Sequence, residues 1–516
     1  MAPGREPARA TQPSIPRRLL LAGGFGACCA AALSQLPGAV PASAARAALV
    51  TRGTSSAGLL PPPPAPGETY DVVLAGGRVI DPETGLDLVA DVGITGASIA
   101  AISTGPLSGT TTIDARGLVV APGFIDLLSY DPNPYGVAFK VADGVTTNLC
   151  MHGINDDATR WFEKWEAKRT LVHHGGAFDH AWARAQLGLG VFDAASPAHV
   201  EQLRAAADAA LAAGFMGVHL ELEYTPGATG DEVVAMGHVA AGWDVPAFFH
   251  ARYSDPEPPG TNAEAVAEVL AVARTTGAAV HLEHLTSTGG TRTMAESLAA
   301  MQAARDDGFD VTGCLYPYDF WAARAGSTRF DAGWEERFAI DHDDVVVPGT
   351  GERLSAATFQ DARRANTLLV ALAIPEADVR AGLRSPLLML GSDAILEPGD
   401  NNHPRAAGTF ARVLGRYVRD ERVLPLRTAL AKMTIAPARR LEVGAPAMRK
   451  KGRLQVGCDA DVTIFDAATI ADRATVADPA QASVGIEWVL VDGVVIKDPD
   501  GVRDDVAPGR AIRSGA

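Results

Sequence analysis

Residues 278–318 read AAVHLEHL (278–285), then, past a short polar stretch, MAESLAAMQAARDDG (294–308) and FDVTGCLYPY (309–318). The first and last of these are short apolar runs of strand length, whereas the middle one is Ala-rich and amphipathic at helical spacing. Strand, helix and strand in succession make a βα unit, and the same alternation recurs from about Phe124 to Ala445. Repeated βα units predict a parallel sheet, and a stretch of roughly 320 residues fits a (β/α)8 TIM barrel with insertions better than an open doubly wound sheet. No Gly-x-Gly-x-x-Gly or Walker-type loop follows these runs, so no nucleotide is expected.

Outward from the barrel, assigned to 122–445, the texture changes. YDVVLAGGRVID, DLVADVGITGASIAAIS and TTTIDARGLVVAPG are β-rich runs with turn punctuation, and the same texture returns in ADVTIFD and EWVLVDGVVI near the other end. Residues 68–121 and 446–500 are therefore expected to join in one small β-sandwich domain, discontinuous in sequence, with 501–516 as a tail. Residues 45–67 end in Pro61-Pro62-Pro63-Pro64-Ala65-Pro66-Gly67 and read as a linker. Residues 1–44 place Arg5, Arg9, Arg17 and Arg18 before an apolar run from Leu19 to Leu33 and close on Ala42-Ser43-Ala44, the order of an export signal. Arg17-Arg18 points to the twin-arginine route. The apolar run is shorter than a spanning helix needs, so no integral membrane domain is expected. Cys28 after Phe25-Gly26-Ala27 offers lipid anchoring as the weaker alternative.

The chain has 516 residues, 47% hydrophobic and 21% charged, with a formal net charge of -16. That balance supplies a sizeable core and argues against a nucleic-acid partner, which requires a cationic surface. Five cysteines, two of them in the signal, are too few for a disulfide framework. The composition says nothing of oligomeric state.

In a barrel, chemistry gathers at the C-terminal ends of the strands. Four places qualify: His250 after VPAFF, with Arg252 two residues on; His284 after AVHLE; Asp393 after LLMLGS; and Cys150 with His152 after TTNL. Imidazoles from neighbouring strand ends together with a later carboxylate are what a zinc-like ion needs to be held and to activate water. The lone histidines His219 and His281 are more simply read as hydrogen-bonded core residues. In VHLELEY, His219, Glu221 and Glu223 share one face of a strand, so Glu221 or Glu223 is either an acid/base or ligating carboxylate or part of a structural polar cluster.

APGFIDLLSYD, GVTT, ELEYTPG, FFHARY, VHLEHL, LYPYDF, GSDA, NNHPRAAGTFARVLGRYVR and KGRLQVGCDADVTIFD together resemble the N-acyl-D-amino-acid deacylases of the amidohydrolase superfamily, over about residues 70 to 497. The resemblance implies a barrel with a small β-sandwich, a zinc site, and hydrolysis of the amide bond of a small N-acylated D-amino acid. It implies His250 and His284 as ligands of the tightly held metal and Asp393 as the base that takes a proton from water and passes it to the leaving amine. Tyr316 or Tyr318 is implied at the scissile carbonyl and Arg405 at the substrate carboxylate; His403, Glu223 and Arg252 complete the expected substrate contacts. The family's cysteine ligand falls at Cys150 or His152, which compete for the role. The family's first-strand His-x-His is replaced by Leu128 and Tyr130, which leaves the second metal position without its ligands, so one zinc per chain is expected. The family's substrate lysine is Thr286 here. These departures keep two alternatives open: an amidohydrolase fold with altered chemistry, such as cyclic amide opening or closing or acyl transfer, and a non-catalytic ligand-binding descendant.

Overall fold

The computed structural model describes residues 67–256 and 260–515. The expected export signal and all of the linker except Gly67 lie outside these residues. No helix of the described residues is long and apolar enough to cross a membrane.

Eight short strands form one parallel sheet in sequence order: β1 (Phe124–Asp126), β2 (Val145–Ile154), β3 (His173–Asp179), β4 (Val218–Glu221), β5 (Ala247–His250), β6 (Val280–Leu282), β7 (Val311–Leu315) and β8 (Leu388–Leu390). Helices separate them, among them Gly230–Gly242 and Asn262–Thr276. Both begin at a threonine whose hydroxyl accepts from the third helical N–H while Glu232 or Glu264 reaches back to the cap. The edges β1 and β8 meet through side chains. Asp126 accepts from the Ser392 N–H (2.9 Å), from the Ser392 hydroxyl (2.6 Å) and from the Lys140 ammonium (2.6 Å), and the Asp393 N–H reaches the Leu128 carbonyl (2.7 Å). The barrel is thus nearly closed. Ile125, Leu127, Leu149, Met151, Phe248, Cys314 and Met389 pack into one buried cluster from alternate positions of its strands.

Where the small sandwich was expected, residues from both flanks of the barrel form a nine-stranded sheet. Val462–Phe465 pairs antiparallel with Val119–Pro122, which runs parallel to part of Thr69–Asp81, and the sheet continues to Ser98–Ser103 on one side and Gly501–Val502 on the other. It is tied to the barrel by His173, whose Nε2 lies 3.1 Å from Asp461, while Lys451 and Arg510 neutralise Asp461 and Asp492. The region expected to be a tail is ordered by hydrogen bonds along β3: Gly509 N–H to Thr170 O, His174 N–H to Arg510 O, and Ile512 N–H to His174 O. Ile512 joins the buried cluster of the barrel interior.

One element was not foreseen. Between β7 and β8 the chain forms a third, antiparallel sheet from Trp321–Arg324, Val345–Val347, Glu352–Arg353 and Leu368–Ala371. It is anchored over the strand ends by Thr328, whose hydroxyl donates to the Glu223 carbonyl (2.9 Å), and by Arg329, which donates to the Ser287 carbonyl (2.7 Å).

Candidate metal centre and active site

Strand β2 decides which residue reaches the barrel mouth. Leu149 and Met151 join the interior cluster, so alternation sends Cys150 outward into the larger core cluster that includes residues of the surrounding helices. The β2–β3 register slips between Cys150 and Ile154, and this irregularity brings His152 back inward. Gly153 makes the kink possible, because at its φ of 86° a Cβ would stand 2.7 Å from His219 Nδ1 and 2.9 Å from the Asp179 Cβ. Of the two competing residues, His152 stands at the mouth. Cys150 does not, and burial lifts its thiol pKa well above the ordinary value.

His152, His250 and His284, from the ends of β2, β5 and β6, each offer a nitrogen, and the three atoms lie within 4.8 Å of one another. All three rings are buried. Among the described residues, Nδ1 of His250 and Nδ1 of His284 have no hydrogen-bond partner. Burial lowers the His284 pKa to about 3, so its ring is neutral and its lone pair is available. Orphaned nitrogens on converging buried imidazoles are the donor set a zinc ion takes.

Asp393 stands beside them, 3.9 Å from His152 and 4.0 Å from His284. Its φ of 52° is unusual for a non-glycine residue and is held by its N–H bond to Leu128. Arg405 donates to Oδ2 (2.8 Å) and to the Asp393 carbonyl (2.9 Å), while the Tyr130 hydroxyl donates to Oδ1 (3.2 Å). Burial alone would raise the Asp393 pKa, but Arg405, His284 and His152 hold it below the usual carboxylate value. Tyr130, in place of an expected histidine, also sets its ring edge-on to His152 at 5.5 Å. Leu128 is fully buried in the interior cluster.

Arg405 lies flat over the Tyr316 ring (3.8 Å), and its Nε and Nη1 have no partner among the described residues. Tyr316 is itself 6.2 Å, ring to ring, from His284. The structure therefore brings Arg405 and Tyr316 to the histidines. Four other expected substrate contacts are engaged elsewhere. Arg252 is clamped on Glu268 and on the Pro226 and Ala228 carbonyls. Tyr318 packs beneath the Arg412 guanidinium (4.6 Å) and against Phe320. His403 stacks on Phe320 and accepts the Arg405 N–H, so it shapes the turn that delivers Arg405. Glu223 gives one oxygen to His250 Nε2 (2.9 Å) and to the Ser254 hydroxyl (2.8 Å), which makes it a support for His250. A strand-end position fixes where a side chain starts but not where its charge goes.

His219 and Glu283 were not marked as site residues from sequence. Glu283 Oε2 lies 2.6 Å from His152 Nδ1 and 3.1 Å from His219 Nε2, in the barrel interior. The available signal was their alternation with residues of the same strands: His219 with Glu221, and Glu283 beside His284. His281 behaves as a core histidine, bonded to the Thr312 hydroxyl at 2.8 Å. A cavity of about 440 Å³ opens beside His152, with Tyr130, Glu221, Asp179 and Trp182 in its wall.

Away from the mouth, burial holds His281 neutral with a pKa lowered to about 3 and His174 with one lowered to about 4. Both folded values lie below the ordinary 6.5, so the unfolded chain binds these protons first and stability is lost as pH falls from about 6.5. His152 and His219, whose values are raised, act in the opposite sense. The clean measurement is therefore a difference. His281→Gln is expected to shrink the loss of unfolding free energy between pH 6.5 and 5 by about 2 kcal/mol, read from urea midpoints. An unchanged pH dependence would refute a buried neutral His281.

Residues 142–497 match the amidohydrolase family model. The chain is 35% identical to an N-acyl-D-glutamate deacylase of Alcaligenes xylosoxydans xylosoxydans over 87% of its own length and 98% of the relative's. Among solved structures, it superposes on an N-acyl-D-glutamate deacylase from Bordetella bronchiseptica, complexed with zinc and a phosphonate inhibitor that mimics the tetrahedral intermediate. That match has a TM-score of 0.75 and 31% identity, covering 87% of this chain and 100% of the other. It is also similar to a D-aminoacylase described for its binuclear metal centre, with one-metal activation and second-metal attenuation, at a TM-score of 0.74 and 26% identity over 86% of this chain and 100% of the other.

Proposed function

This chain belongs to the amidohydrolase family, and on that premise we propose that it hydrolyses the amide bond of an N-acyl-D-amino acid on a single zinc held by His152, His250 and His284. The observation that carries the reading is the convergence of three buried imidazole nitrogens within 4.8 Å, with Asp393 alongside. Leu128 and Tyr130 leave the other side without imidazole donors, which favours one ion over two. Zinc, when bound, supplies Lewis acidity to the scissile carbonyl and to water.

The protein's own groups supply the rest. Asp393 Oδ1, less firmly held than the Oδ2 that Arg405 grips, takes the proton from water and returns it to the amine nitrogen. The depressed pKa keeps this carboxylate ionised, ready to accept. The Tyr316 hydroxyl stabilises charge developing on the carbonyl oxygen. Arg405, with Nε and Nη1 to spare, binds the substrate carboxylate while Tyr316 holds its guanidinium plane. The cavity beside His152 takes the acyl group.

Metal analysis with His250→Ala tests this. Wild type is expected to carry about one zinc per chain, as catalytic three-histidine sites with an open position do, and the variant to lose both zinc and hydrolysis of N-acyl-D-amino acids. Wild-type protein that takes up no zinc and leaves such substrates intact would overturn the proposal.

A further inference from the structure

We infer that Glu283 is the positioning residue that makes His152 a metal ligand, and that His219 holds Glu283 in place for that purpose. The inference rests on the zinc reading above and concerns a residue outside the three-histidine set.

A carboxylate only accepts hydrogen bonds. The 2.6 Å contact between Glu283 Oε2 and His152 Nδ1 therefore places a proton on Nδ1 and makes Nε2 the nitrogen that can turn to an ion. Nε2 is the atom that faces the site, 3.1 Å from Glu221 Oε1 and 3.9 Å from Asp393 Oδ1, so an ion there would take the place of the Nε2 proton held toward Glu221. Without the carboxylate, His152 is free to take the other tautomer or to rotate, and the donor nitrogen is lost. The same oxygen receives His219 Nε2 at 3.1 Å, so two rings pin one oxygen. The backbone is equally constrained: Glu283 N–H bonds the Phe249 carbonyl and Leu285 N–H the Cys314 carbonyl, which points Glu283 toward His152 while His284 reaches the mouth.

The cost of this arrangement argues that it serves the site. Glu283 is fully buried, and its Oε1 has no partner among the described residues. Burying a carboxylate costs several kcal/mol, and an apolar residue of similar size in the same space is often as stable or better. An ionised Glu283 at this depth gains its purpose from the ring it orients. His250 has a matching arrangement, with Glu223 on Nε2 and Nδ1 left open. Carboxylates behind ligating histidines fix tautomer and ring orientation and strengthen the donor.

The test is zinc affinity of the purified full chain, by competition with a chromophoric chelator, together with the absorption spectrum of the cobalt-substituted protein. Glu283→Gln keeps shape and one acceptor oxygen but lacks the charge. It is expected to weaken zinc about 10- to 100-fold and to alter the cobalt bands, with thermal unfolding of the metal-free protein nearly unchanged. His219→Gln, which leaves the carboxylate in place, serves if Glu283→Gln fails to fold; it is expected to weaken zinc by a smaller but measurable factor. Wild-type zinc affinity and an unaltered cobalt spectrum in Glu283→Gln, or in His219→Gln where that variant is used, would overturn the positioning role and leave the three-histidine reading intact. A wild type that binds no zinc would overturn both.

Discussion

Replacing Asp393 by Asn is expected to lower turnover about 100- to 10,000-fold while zinc content stays at the wild-type level, the magnitude typical of a lost general acid–base. Asn keeps the size of the side chain and one oxygen to accept from Arg405, with its amide NH2 able to donate to the Tyr130 hydroxyl oxygen, so the turn at φ 52° and its bond to Leu128 should survive. What it loses is the ability to take a proton. None of the three imidazoles is touched, which separates this variant from His250→Ala, where metal and activity go together. Measuring kcat and metal content on the same preparation decides the matter. Turnover that persists in Asp393→Asn removes the residue from the proton path; zinc lost together with turnover makes it a ligand instead.

The largest expected effect on stability comes from Lys140→Met. Lys140 and Asp126 are 1% and 0% exposed, and the ammonium also reaches the Ser392 hydroxyl, so the ion pair sits where the first and last barrel strands meet. Removing the cation leaves Asp126 buried with only the Ser392 donors, a situation that typically costs about 3–5 kcal/mol. Urea midpoints of the two proteins check it. Recovery in a Lys140→Met, Asp126→Leu double variant would identify the unpaired charge as the cause, whereas a single variant with a wild-type midpoint would show that the barrel closes without the pair.

The barrel was legible in the sequence because each strand is short, apolar and followed by an amphipathic helix, and that repeat leaves few other architectures. His250, His284 and Asp393 were legible because each ends such a run. The rest depended on directions that a period-two pattern does not carry. Alternation alone places Cys150 and His152 on the same outward face, and one irregularity beside Gly153 turns His152 alone inward. Arg252 and Tyr318 stand close in sequence to residues that converge at the mouth, yet Glu268 and Arg412 draw them off. Glu283 was hidden for the opposite reason: a glutamate near a strand end reads as a solvent-facing side chain until the histidine opposite it, 131 residues earlier in the chain, is known. The four-stranded insertion gave short runs that resembled further barrel units.

The sheet that joins Val119–Pro122 to Val462–Phe465 also sets a timetable. The first of these strands leaves the ribosome with its partner still unmade, and roughly 340 residues must follow at about 5–20 residues per second before the partner appears. For about 20 to 70 s, then, a nascent chain carries an unpaired apolar edge beside a barrel whose last strand is also missing, a state that invites pairing with other chains. Holding chaperones that recognise extended apolar segments should raise the soluble yield of this protein, and they should act mainly while it is being made.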